Sequence, residues 1–247
     1  MAGTPYLVFG PAYRHNCGGV RALHRLVHLL NERGQEAYSS EAGNPDWNEK
    51  HVSEYKGDEG PIVVYPEVVF GNPVGGKKVV RWVLNVPGFV GGPTDYPAED
   101  LVFTWSKKFL DLPDSRLLSV GSLEHELFNT EGVSEKTIDC FYVGRGITRG
   151  ATLLPQTDGL LEITSDYPPT RKEVAALMKK TRTLYSYDDV TQVVSEALLC
   201  GCRVVLLPEN VELTLDDREE GDTRISYEDQ LRNFVEVTQA YYMDNLE

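Results

Sequence analysis

Arg145 stands between Gly144 and Gly146, directly after the β-rich run Ile138-Asp-Cys-Phe-Tyr-Val143. A guanidinium offers a rigid fork of N–H donors that suits phosphate oxygens, and glycine neighbours let such a group approach the backbone closely. Arg149 and Lys107 are candidates for a second cation. Near the start of the chain, Gly18-Gly19 leads into a helical pattern with Val20, Leu23, Val27 and Leu30 on one face. A glycine pair ahead of a helix N-terminus favours a bound anion. Arg14, His15 and Asn16 stand just before it, and His15 reads either as a ligand-facing group or as a plain loop histidine. Farther on, the carboxylates of Asp188 and Glu196 lie eight positions apart, flanking a turn and a short helix.

These groups need elements to hold them. Asp188 or Asp189 suits the N-cap of the helix in which Val190, Val193, Val194, Ala197 and Leu198 share a face. Gly201 suits its left-handed end, and Val204 to Leu207 reads as a strand buried on both faces. Tyr6 to Gly10, Ile62 to Tyr65, Leu101 to Trp105, Arg116 to Val120, Ile138 to Val143 and Leu160 to Thr164 read as further strands. Asn72 and Pro73 predict the start of a helix with Val79, Val80, Val83 and Val86 inward, stopped by Pro87-Gly88. Thr170 and Glu173 form a capping box ahead of Val174, Leu177 and Met178. The polar stretch 41–60 and the acidic stretch from Glu212 to Asp222 read as surface loops, and Tyr227 to Leu246 as a last helix. Strands alternating with helices predict α/β sheets, which bind ligands outside the carboxyl ends of their strands.

Composition narrows the function. The chain has 247 residues and a net charge of −14. That charge disfavours a nucleic-acid backbone or an anionic membrane as the main partner. Four cysteines, Cys17, Cys140, Cys200 and Cys202, read as reduced thiols, and Cys200-x-Cys202 lacks the second pair of a zinc site. No signal peptide or membrane-spanning run is evident, so a cytoplasmic protein is expected. The glycine loop is not a G-x-G-x-x-G fingerprint, so no dinucleotide is indicated. No Asp-x-Asp metal pair is evident, so neither metal nor cofactor is expected.

Ser195-Glu-Ala-Leu-Leu-Cys-Gly-Cys-Arg-Val-Val205 resembles the donor-binding signature of retaining glycosyltransferases of the GT-B fold, of the family-4 (group 1) type. Tyr142-Val-Gly-Arg145 and the Gly18-Gly19 loop follow the same family order, while Tyr65-Pro-Glu67, Gly71-Asn-Pro73 and Val79-Val-Arg-Trp82 resemble a bacterial and phage-type subset. The resemblance implies two Rossmann-like halves facing a cleft in a compact version. The halves would be 1–121, joined by a C-terminal helix at 226–247 that crosses back to it, and 122–225. It implies transfer of a sugar from a nucleoside-diphosphate sugar to an unidentified acceptor, a glycan or small molecule being favoured, with retention of configuration and without a metal. Glu196 would hold the ribose and Asp188, where the family usually has Glu, the sugar. His15 joins them as a catalytic candidate. Gly18, Gly19, Arg145 and Arg149 would bind the donor, with Ile163 and Thr164 near the base. Arg14, Glu67, Arg81 and Lys107 are candidates on the acceptor side, and Glu67–Arg81 reads equally as a buried pair holding a loop. Two other readings stand beside this one: a nucleotide-sugar epimerase or hydrolase on the same fold, and a degenerate binding protein without catalysis.

Overall fold

Short β-branched runs form strands that bury both faces, as expected where the neighbours are parallel. The computed structural model describes residues 3–57, 60–120, 124–133, 135–189, 191–218 and 226–244. The first sheet is built from β1 (Tyr6–Val8), β2 (Ala37–Ser39), β3 (Lys50–His51), β4 (Ile62–Pro66), β5 (Lys78–Val83) and β6 (Leu101–Thr104). Helix α1 (Gly18–Glu32) links β1 to β2. The strand order is β3-β2-β1-β4-β5-β6 with every pairing parallel. The order reverses between β1 and β4, which makes the space outside their carboxyl ends a topological switch point of the parallel sheet. Val20, Leu23, Leu26, Val27 and Leu30 put the apolar stripe of α1 into the core. Each such side chain contributes about 1.5–3 kcal/mol through burial. Gly34, at φ 75°, ends the helix in the left-handed region.

The second sheet contains β7 (Ile138–Tyr142), β8 (Leu161–Ile163), β9 (Thr181–Ser186), β10 (Arg203–Leu206) and β11 (Val211–Leu213). Its order is β11-β10-β9-β7-β8, parallel except for β11, which runs antiparallel to β10. Helices α2 (Arg171–Lys180) and α3 (Gln192–Leu199) precede β9 and β10. Thr170 caps α2, accepting the Glu173 N–H and donating its hydroxyl to the Glu173 carboxylate at 2.7 Å. Phe128, Cys140, Met178, Leu184, Ala197 and Val204 are among the residues of a core that α2 and α3 cover. Cys140, Cys200 and Cys202 are buried free thiols, and Cys17 is half-buried. Finally α4 (Tyr227–Asp244) packs Leu231 and Phe234 against Tyr6 and Phe103 in the core of the first sheet. By its contacts the chain divides into residues 1–14, 19–122 and 220–247 as one unit and 15–18 and 123–219 as the other. Among the described residues no helix is long and apolar enough to cross a membrane.

Five expectations about elements are corrected. The polar stretch 41–60 is not loop throughout, since Lys50–His51 forms β3 and a 3₁₀ turn covers Val52–Glu54. The segment expected as a helix from Asn72 contains β5 instead: all six residues of the strand are buried, and a strand covered on both faces shows no alternation to betray it. Asn72 pins the preceding turn, its Oδ1 accepting the Tyr65 hydroxyl at 2.7 Å and the Gly76 N–H at 3.0 Å. Arg116 to Val120 does not form a strand; a short 3₁₀ turn covers Asp114–Arg116, and Leu117 makes one isolated bridge to Thr104. Thr191, not Asp188 or Asp189, caps α3 by accepting the Val193 N–H, and Val190 lies outside the described residues. The acidic stretch is not loop throughout, since Val211–Leu213 forms β11; Glu219, Glu220 and Asp222 lie outside the described residues.

Candidate functional site

The parallel strands β8, β7 and β9 are neighbours and end on the same edge of the second sheet. Thr164, Arg145 and Asp188 follow those ends. The Asp188 side chain is only 2 % exposed, and its Oδ2 accepts the Arg145 backbone N–H at 3.1 Å and the Arg145 Nε–H at 3.3 Å. The Arg145 side chain remains 37 % exposed, so the guanidinium is oriented by a buried carboxylate yet open to solvent. Gly144 has φ 52°, and a Cβ there would lie 2.8 Å from that same Asp188 oxygen. A Cβ on Gly146 would lie 2.6 Å from the Tyr187 Cβ. The glycines flanking Arg145 therefore serve the close approach of the segment after β9, which explains them without a ligand.

Behind this edge, Tyr142 hydrogen-bonds the Thr191 side chain, and burial pushes the Tyr142 hydroxyl pKa up. The N-terminus of α3 thus starts beside the Arg145–Asp188 pair, with its dipole favouring negative charge. Thr164 is exposed, and its Oγ1 accepts the N–H groups of Asp166 and Tyr167 at 3.2 and 3.0 Å, which closes the loop after β8. Ile163, the last residue of β8, is buried in the core. The side chain of Arg149 lies outside the described residues.

Glu196 is 1 % exposed and joins a buried ion cluster. Arg171 grips it bidentately, Nη2 to Oε1 at 2.6 Å and Nη1 to Oε2 at 3.1 Å. The Arg171 Nε donates to Glu124 at 2.7 Å, and the guanidinium lies 4.4 Å from the Phe128 ring centroid. Burial works against the Arg171 charge, but the two carboxylates outweigh it and raise its pKa. Asp188 and Glu196 thus share a helix-and-turn neighbourhood but face different cations.

On the first sheet, Glu67 follows β4 at the switch point and is 3 % exposed. Its Oε2 accepts the Leu84 N–H at 3.0 Å. Burial pushes its pKa up, and the backbone N–H groups of Leu84 and Glu67 pull it partly back. The alternative of a Glu67–Arg81 pair is replaced by another partner: Arg81 Nε donates to Asp100 at 2.7 Å, and its Nη atoms donate to the carbonyls of Val69 and Gly71. Tyr96 lies against both residues, its hydroxyl buried and its pKa pushed up to about 12 by burial and by the nearby Glu67. Lys107 is ion-paired with Asp114.

Arg14 is exposed and His15 half-buried in the loop after β1, whereas Gly18 and Gly19 form the first turn of α1 rather than the loop before it. Residues that pattern-reading passed over fasten this loop. His24, buried on α1, bridges the Pro11 carbonyl and Glu49. His24 lies between Leu23 and Val27 on the buried side of the helix, which is a visible signal; Glu49, inside a polar stretch, gives none. Arg171 directly follows the capping threonine and was equally unmarked, as was Glu124. A cavity of about 280 Å³ lined by Glu36, Tyr38, Glu54 and Tyr55 among others sits at the amino ends of β1 and β2.

No protein-family model matches this chain, and no curated protein matches it either.

Proposed function

We propose that this chain transfers a sugar from a nucleoside-diphosphate sugar to an acceptor, with the diphosphate bound outside the carboxyl ends of β7 and β9. The observation that carries the reading is the half-exposed Arg145, oriented by the buried Asp188 and next to the N-terminus of α3. Leaving-group charge on a diphosphate is stabilised by such fixed donors and dipoles, which need no reorganisation as the bond breaks. Asp188 acts in this reading by holding Arg145 in place, which departs from a direct contact to the sugar. Glu196 would reach a ribose only with oxygens already engaged by Arg171, so its contribution is to order α3 through the Arg171 cluster. The resemblance of Ser195 to Val205 to the transferase signature supports the choice of a sugar nucleotide over other phosphates.

A second reading, a nucleotide-binding protein without catalysis, draws on a related fact: both carboxylates of the signature are buried and committed to ion pairs with arginines. Calorimetry with UDP, GDP, ADP, dTDP and CMP separates these readings from a wrong site. One diphosphate should bind, and Arg145→Ala should weaken it by about tenfold or more, about 1.4 kcal/mol. If no nucleotide binds, or the substitution changes nothing, the site assignment falls. The sugar nucleotide of the base that binds is then offered with and without candidate acceptors. Diphosphate release that requires an acceptor supports transfer; release without one supports a hydrolase; an epimerised sugar nucleotide with no net release supports an epimerase; no conversion of the sugar nucleotide supports the binding protein.

A further inference from the structure

The loop that leads from β1 into α1 is fastened by a histidine whose bonding demands a particular protonation state. His24 Nε2 lies 3.0 Å from the Pro11 carbonyl oxygen and Nδ1 2.6 Å from Glu49 Oε2. A carbonyl and a carboxylate oxygen both accept, whereas a neutral imidazole has a single N–H to give. Both bonds form together only when the ring carries two protons. Around this bridge the loop and the segment after β2 are stitched to each other. The Tyr13 N–H donates to the Ala42 carbonyl at 2.8 Å, and the Gly10 N–H to Ser40 Oγ at 3.0 Å. Glu49 Oε1 accepts the Asn44 N–H at 2.8 Å, which ties the bridge to that segment. The Tyr13 ring meets His24 and Trp47 edge-on at 5.6 and 5.4 Å.

We propose that His24, held as an imidazolium between Pro11 and Glu49, is the positioning residue of the loop from Gly10 to Cys17, and that its deprotonation loosens that loop. Glu49 is the charged group that faces His24 from the segment after β2, where Glu41 and Asp46 are exposed; Arg14 on the loop is exposed as well. On α1, Arg21 is buried one turn earlier, while Arg25 and His28 lie against Trp47, and Glu32 interacts with His28. Burial opposes the His24 charge, but the bonds to Glu49 and Pro11 outweigh it, so its pKa sits above the ordinary 6.5. The stabilisation is therefore complete below about pH 6.5 and is lost as pH rises through the raised value.

An effect on nucleotide affinity rests on the transferase reading; the protonation of the ring and the order of the loop do not. The test begins with nitrogen-15 imidazole spectra of the intact protein at about pH 7, where a free histidine is largely neutral. His24, assigned by comparison with His24→Gln, should show two protonated ring nitrogens; a neutral tautomer there overturns the proposal. Hydrogen exchange of peptides covering residues 10–17, corrected for intrinsic rate, should lose protection by about tenfold between about pH 6 and about pH 9. His24→Gln keeps a donor for Pro11 without titrating, so its protection should stay flat over that window. Wild-type protection that is flat as well sinks the idea. Affinity for UDP, GDP and ADP is followed over the same pH range. Failure to bind any of them removes the transferase reading, while the spectra and the exchange data still decide the role of His24.

Discussion

At the scale of single residues, two carboxylates show how burial assigns different tasks to the same chemistry. Glu196 is sealed under Arg171, and removing the cation would strip a buried charge of its bidentate counter-charge. Arg171→Met should cost about 3–5 kcal/mol in chemical denaturation, and adding Glu196→Leu should recover much of that loss, because an apolar pair needs no desolvation. Among the described residues no cation pairs with Glu67, and burial raises its pKa. Its folded state prefers the protonated acid, so its contribution is full at acid pH and fades as pH rises through the raised value. Glu67→Gln keeps the oxygen that accepts the Leu84 N–H but cannot ionise. Its denaturation midpoint should match that of the wild type at about pH 4 and exceed it at about pH 8. Equal midpoints at both pH values would show that Glu67 is not a buried acid of this kind.

At the scale of elements, the turn after β7 is the part most tightly specified. Gly144 combines a positive φ with the approach of the Asp188 carboxylate, so a methyl group there meets both strain and contact. Gly144→Ala should destabilise by about 1–3 kcal/mol in thermal or denaturant unfolding, and Gly144→Asn, more tolerant of that φ, gains no relief from the contact. The turn was recognisable beforehand, since Gly144-Arg-Gly146 closes a β-rich run. Its reason was not: two glycines beside an arginine suggested room for phosphate, and the structure fills much of that room with Tyr187 and Asp188. In the same way, Val79, Val80 and Val83 marked an apolar element without saying which. Spacings of three and four residues fit a helix face, and only pairing with β4 and β6 made the segment a strand.

At the scale of the whole molecule, the last helix belongs to the first sheet. The Tyr6 hydroxyl hydrogen-bonds Thr238 at 2.7 Å, and the Gln239 amide both donates to and accepts from the Thr4 backbone at 2.8 Å. Phe234 meets the Phe103 ring edge-on in that core, with centroids 4.9 Å apart. Phe234→Ala should therefore cost about 3–5 kcal/mol and expose β1 and β6 amides to exchange together with α4. Protection lost in α4 alone would mean that the helix docks independently. Local information along the chain sufficed for most of the elements: the stripe of α1, the Thr170 cap, Gly34 and Gly201 at helix ends, and the strands around Ile62 and Ile138. Each depends on side chains a few positions apart, whose period and backbone preference act before any tertiary contact forms. What the tertiary structure alone decided was partnership. That Asp188 turns to Arg145, Glu196 to Arg171, Arg81 to Asp100 and His24 to Glu49 depends on groups 19 to 43 residues apart in the chain. Buried charges accept whichever counter-charge the packing brings within hydrogen-bond reach, and that choice is made by strand order and helix placement rather than by spacing along the chain.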